Sequence, residues 1–187
     1  MAVACTYAAG PTPIPGADCW LRDALDGAGT SSVPQVLRLQ RPDQAPFAMQ
    51  LDTLPLDGVA ALMLPGVRGI ADVCSVAERC PLDVLPVIDG AWALDQVRAI
   101  AQVPGVVRLV FDAAALKVDL GVEDDDALLT ARAAVVLASR LAGLARPVDD
   151  SAVKATQVRR LGFGARICRS AAEVADTQAA FSTSDKA

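Results

Sequence analysis

The chain has 187 residues, of which 53% are hydrophobic and 21% charged, with a formal net charge of −5. That length suits one domain, since domains commonly run about 100 to 200 residues, and the apolar content excludes a disordered chain. An acidic balance, lysine at Lys117, Lys154 and Lys186 alone, and 4% aromatic residues exclude a nucleic-acid binder, which needs a basic stripe and stacking side chains.

The opening MAVACTYAAGPTPIPG has neither a basic start nor a long apolar core, so neither a signal peptide nor a membrane anchor is expected. Short apolar runs then recur as strand candidates: Ala2 to Cys5, Gln35 to Gln40, Val59 to Leu64, Val84 to Asp89, Val106 to Phe111, Arg146 to Asp150 and Arg166 to Ser170. Between them lie segments of helical spacing, such as Leu94, Val97 and Ala101, and a longer one through Leu128, Ala131, Val135, Ala138 and Leu141. GVEDDD precedes the longer segment and puts Glu123 to Asp126 at the positive end of its dipole, so these acids read as a helix start rather than a calcium site. Trp20 and Trp92 fall early in amphipathic segments, where they are expected to pack between helix and sheet or at a subunit contact.

Strands alternating with helices indicate a parallel sheet covered on both faces. About seven such units point to a TIM-like α/β barrel, and because a full one usually takes about 250 residues, the barrel is expected to be incomplete. Residues 1–181 are read as one domain and 182–187 as a tail. No GxGxxG or GxxxxGKS loop favours a nucleotide fold.

The chain has no histidine, which removes Ser-His-Asp and Cys-His nucleophile systems, both of which need imidazole as proton carrier. Its five scattered cysteines form no CxxC pair and suggest reduced thiols in the cytoplasm. Any catalysis must use carboxylates, arginine, lysine or an oxygen-held metal.

Taken in order, the strand ends read VLRLQ, LMLPGVRGIADV, VLPVIDG, VVRLVFDAAALKVDLG, ARPVDD and LGFGARICRSAAEV. This order resembles the citrate lyase β-subunit and malyl-CoA lyase-like aldolases, the HpcH/HpaI family. Its corresponding blocks are approximately VRVN, MLPKVE, LPLIE, Gly-x-Glu-Asp-Leu followed by DLG, ID-Gly and GFxGKxxIHPxQV. The resemblance spans Ala2 to about Phe181 and implies a magnesium-dependent carbon-carbon lyase acting on a small acid or acyl-CoA thioester, CoA being part of the substrate.

The resemblance also implies sites. Arg38 matches the arginine of VRVN that meets the substrate carboxylate or developing enolate; the alternative is a barrel arginine held by a neighbouring carboxylate. Asp89 stands at the magnesium-binding Glu, one methylene shorter, and is alternatively a helix N-cap. The second metal ligand aligns with Ala115. Asp112, three residues earlier, is then the candidate replacement ligand, or else a solvated loop carboxylate, while Asp119 is expected to turn the chain. The family's first strand has no counterpart before Met1, so the barrel is expected to lack it, and the acidic Asp-Leu-Glu-Asp block after the second strand aligns with Thr6 to Ala9. The gap would leave two strand edges unpaired, from which a homo-oligomer is expected. The departures leave a second possibility: a non-catalytic relative that binds an acyl anion or serves as a subunit of a lyase-like assembly.

Overall fold

The apolar runs form short strands whose side chains alternate between two hydrophobic compartments, as a period of two requires. In the computed structural model, which describes residues 5–26, 31–45 and 47–182, these strands are β1 (Thr6–Ala9), β2 (Cys19–Asp23), β3 (Gln35–Arg38), β4 (Val59–Leu64), β5 (Asp83–Ile88), β6 (Val110–Asp112), β7 (Val148–Asp150) and β8 (Ala165–Cys168). Each pairs in parallel with the next, and β1 pairs with β8 through Thr6 and Arg166, Tyr7 and Ile167, and Ala8 and Cys168. The result is a closed barrel.

The TIM-like barrel is therefore borne out, and its expected incompleteness is corrected: eight strands are present and no edge is open. The strand that sequence reasoning passed over is β2, CWLRD, whose Arg22 and Asp23 break the apolar run. β1 lies beyond the expected Ala2 to Cys5, of which Ala2 to Ala4 fall outside the described residues. The ground for expecting a homo-oligomer, two unpaired edges, falls away with the gap.

The saving in length comes from helices. Among the described residues none stands between β1 and β2 or between β2 and β3; the first connection is the proline-rich loop from Gly10 to Asp18, where proline removes the donors a helix needs. From β3 onward helices follow: α1 (Phe47–Asp52), α2 (Ile70–Ala77), α3 (Ala91–Asp95), α4 (Val97–Ala101), α5 (Ala113–Leu120), α6 (Leu129–Leu141), α7 (Ala155–Arg160) and α8 (Ala171–Ser182). Glu123 to Asp126 stand at a helix start as expected, Asp125 and Asp126 opening a 3-10 turn that runs into α6. The segment through Leu94, Val97 and Ala101 is helical but broken at Gln96.

Tyr7, Leu21, Val36, Met63, Val87, Val110, Val148 and Ile167 belong to one buried cluster, the barrel interior. The alternate residues Leu37, Leu62, Leu64, Ile88 and Phe111 join the layer shared with the helices. Arg108, two residues before Val110, is buried and donates to the Tyr7 hydroxyl at 3.2 Å. Trp20 corrects its expected helical setting: it is buried on β2 and its indole N–H donates to the Gly10 carbonyl.

Candidate active site at the barrel mouth

Counting in twos along each strand past the apolar interior brings a polar ring to the carboxyl end of the sheet: Asp23 after Leu21, Arg38 after Val36, Asp89 after Val87, Asp112 after Val110, Asp150 after Val148 and Arg169 after Ile167. Loops at this end of a parallel barrel carry the chemistry of enzymes built on it. Six ionisable groups thus gather within one rim.

Arg38 is half-buried and lines a cavity of about 180 Å³ with Ala9, Gly10, Arg22, Asp23 and Asp26. Among the described residues no carboxylate oxygen lies within 4.0 Å of its guanidinium nitrogens, so the neighbouring-carboxylate alternative finds no partner there. Arg22, pointing away from the interior, donates to Gln35 at 2.8 Å and lies 5.6 Å from the Trp20 ring.

Asp89 is buried, and its Oδ2 accepts the backbone N–H of Gly66 at 2.8 Å. The same oxygen lies 3.7 Å from the Arg41 guanidinium. Burial pushes its carboxyl above the ordinary value, the nearby Asp112 adds to the push, and the Gly66 bond and Arg41 oppose it. Arg41, Gly66, Arg68, Trp92 and Asp119 surround a cavity of about 330 Å³ beside it. Trp92 is 68% exposed there, out of the packing expected of it between helix and sheet.

The expected helix cap is also reassigned. Asp119 does not turn the chain; it sits in α5 and its Oδ2 accepts the Ala91 N–H at 2.6 Å, serving the start of α3 in place of Asp89. Asp112 is no solvated loop carboxylate but the N-cap of α5, its Oδ1 accepting the Ala115 N–H at 3.0 Å. The three alanines that follow form the first turn of that helix. Across the rim Asp150 is held bidentately by Arg169, at 2.7 and 2.9 Å.

Comparison with solved structures finds the same barrel. A citrate lyase β subunit from Mycobacterium tuberculosis is 19% identical, with 96% of this chain and 97% of that chain covered at a TM-score of 0.79. The chain has the citrate lyase β-subunit fold. RipC from Yersinia pestis is 20% identical over 96% and 95% of the two chains at a TM-score of 0.81. A CitE protein from M. tuberculosis in complex with magnesium and pyruvate is 20% identical over 99% and 93% at a TM-score of 0.81. No protein-family model matches the sequence, and comparison with curated proteins gives no match. The resemblance read from the strand ends is thus borne out in the architecture.

Thr6 to Ala9, where the acidic block was expected after a second strand, form the first strand, and the second, β2, reads CWLRD with one carboxylate, Asp23, beside one guanidinium, Arg22. Three of the rim carboxylates already have partners. Asp89 is engaged by an amide and a guanidinium, Asp112 by a helix start and Asp150 by Arg169, and no group of three carboxylate, thiol or imidazole side chains among the described residues converges on one point. Magnesium demands oxygen ligands at about 2.0 to 2.1 Å in near-octahedral array. Asp23 and Asp150 were missed as rim residues, and the signal that finds them is the alternation counted from the barrel interior; Arg41, on the loop after β3, lies outside that alternation.

Proposed function

We propose that this chain descends from the carbon-carbon lyases of the citrate lyase β-subunit type and binds a small acid or acyl-CoA thioester at the barrel mouth, with Arg38 meeting the anionic oxygen and metal-dependent cleavage impaired. The observation that carries this reading is the state of the rim: Arg38 is presented to a cavity without a carboxylate partner, while the carboxylates at or near the metal position are committed to other donors. A partly buried guanidinium favours a planar anionic partner, which a substrate carboxylate or enolate supplies. The neighbouring structures support the ligand class, since one M. tuberculosis CitE is complexed with magnesium, acetoacetate and coenzyme A and a citrate lyase β subunit with oxaloacetate and magnesium.

In this reading the mouth orients an acid, while carboxylates already engaged by other donors would hold only weakly the magnesium that stabilises an enolate after bond cleavage. This favours binding, or a subunit role, over turnover. The scattered free thiols fit a reducing cytoplasm, and no helix among the described residues is long and apolar enough to cross a membrane.

Titration of oxaloacetate and acetoacetyl-CoA into the wild-type chain in excess EDTA tests the proposal. The expected result is saturable binding that Arg38→Ala abolishes without lowering the melting temperature. Binding that requires magnesium, or magnesium-dependent cleavage of citryl- or malyl-thioesters, overturns it in favour of an active lyase with Asp89 and Asp112 as ligands.

A further inference from the structure

The largest cavity described is a cleft of about 880 Å³ between α7 and α8 whose inner wall is β8, lined by none of the residues around the other two cavities and reaching the rim at Arg169. Arg166 forms part of that wall. Because Ala165 and Ile167 belong to the barrel interior, Arg166 on the alternate face looks outward, toward the helical layer. It is 93% buried at a relative exposure of 7%, and one guanidinium N–H reaches the Ser151 carbonyl at 3.0 Å. Its Nε–H is shielded from solvent with no hydrogen-bond partner. Arg159, from α7, lines the same cleft with a shielded, unpartnered Nε–H of its own.

A shielded polar group left unpaired is costly and native structures pair nearly all of them, so two guanidiniums with unused donors beside one cleft are unusual. Lys154 and Arg169 add positive charge to the lining, against Glu173 and Asp176, so cations outnumber acids four to two. Arg169 is engaged by Asp150, and the buried Asp149 faces Arg166 from the neighbouring strand, which leaves Arg159 and Lys154 as the least compensated charges. The remaining wall is apolar, with Val153, Ala179 and Ala180. The volume suits an organic molecule rather than a lone ion.

We propose that this cleft is a second ligand site, one that takes a phosphorylated small molecule, its phosphate received by Arg159 and Arg166 and its body lying along the alanines of α8. Phosphate is the anion best matched to two guanidinium forks, which offer parallel N–H donors to tetrahedral oxygens. The loops after the seventh and eighth strands, where the cleft opens at Ser151 and Arg169, are also where barrels of this architecture commonly hold phosphate. The site stands whether or not the mouth binds an acyl anion.

The probes are inorganic phosphate, pyrophosphate and ADP, titrated into the full chain at constant ionic strength and followed by calorimetry, with malonate as a carboxylate control and chloride as a salt control. The expected result is saturable binding of pyrophosphate or ADP, tighter than of inorganic phosphate, that weakens at least tenfold in Arg159→Gln and is unchanged in Arg38→Ala. Arg159→Gln is the primary variant because Arg166→Met removes a buried side chain and risks the fold; if Arg166→Met folds, it loses binding as well. Binding no tighter than that of malonate overturns the phosphate assignment. Loss of phosphate binding in Arg38→Ala but not in Arg159→Gln moves the ligand to the mouth, and a linear response to all three probes equal to that of chloride removes the site altogether.

Discussion

The carboxylate of Asp89 and the backbone amide of Gly66 are joined by a buried hydrogen bond of 2.8 Å that ties the loop after β4 to the end of β5. It occupies one oxygen of the residue that the proposed reading sets at the metal position. The consequences are separable by substitution. Asp89→Ala strands the Gly66 N–H and is expected to cost about 1 to 3 kcal/mol. Asp89→Asn keeps an acceptor and removes a charge that burial disfavours. Because the folded carboxyl is raised above its unfolded value, the charged form penalises the native state above the ordinary carboxylate range of about 4, and the advantage of Asn should grow as pH rises through that value and level off above the folded one. Denaturant titrations of both variants from pH 3 to 8 check this, and a constant difference between Asn and wild type across the range contradicts it.

Gly66 itself adopts φ +70°, and a Cβ built there meets the Arg41 Nε at 2.7 Å. Gly66→Ala therefore combines left-handed strain of about 1 to 2 kcal/mol with displacement of Arg41 from Asp89. Arg41 is half-exposed, so its ion pair adds little to stability and the loss should be close to the backbone strain alone. A melting-temperature comparison with Arg41→Ala, expected to be near wild type, measures the two parts.

Acid sensitivity should come from the other end of the barrel. Burial alone would raise the Asp18 carboxyl, but hydrogen bonds from Thr6 and Cys5, including a Thr6 hydroxyl at 2.7 Å, outweigh it and hold the carboxyl below its ordinary value. A depressed folded value contributes stability above the unfolded value of about 3.9 that is lost as pH falls through the folded one. Asp18→Asn should flatten that acid limb while leaving the alkaline limb unchanged. The same cluster pushes the Cys5 thiol up to about 12, burial first and Asp18 next, so Cys5 should resist alkylation at pH 8 in the native state. Rapid native-state labelling of Cys5 by iodoacetamide contradicts this.

Arg132 and Asp149 form a pair 3.6 Å apart between α6 and β7, both almost fully buried, with the guanidinium also 5.1 Å from the Phe111 ring. Arg132→Met leaves Asp149 without its nearest cation and is expected to cost about 3 to 5 kcal/mol, whereas Arg132→Met with Asp149→Leu should recover most of that loss. A double-mutant cycle in urea reads the difference. Equal destabilisation by the single and double variants would show that packing, not the orphaned charge, sets the cost.

The parallel barrel was legible because its strands are apolar on both faces, and runs such as VAALML and VLPVI supply both compartments at once. β2 was not, since Trp20 and Arg22 face away from the interior and only Cys19 and Leu21 carry the inward signal. Missing that strand turned a barrel shortened by helices into one short of a strand, because length alone does not say which element was dropped. At the site, Arg38 and Asp89 could be placed by their blocks, but their partners could not. Gly66 meets Asp89 through a backbone N–H that any residue would have, and the capping roles of Asp112 and Asp119 depend on where α5 and α3 begin. Such bonds are tertiary facts that no local pattern announces.

In the proposed reading, the position that the resemblance assigns to magnesium is given over to other contacts. Isothermal titration of magnesium into the wild-type chain and into the Asp89→Glu/Ala115→Asp variant tests it most directly. The account predicts no saturable binding below the millimolar range for the wild type and measurably tighter binding for the variant, in which two carboxylates return at the interval the resemblance implies. Tight magnesium binding by the wild type, lost in Asp89→Asn, would contradict the account and return the chain to the metal-dependent lyases.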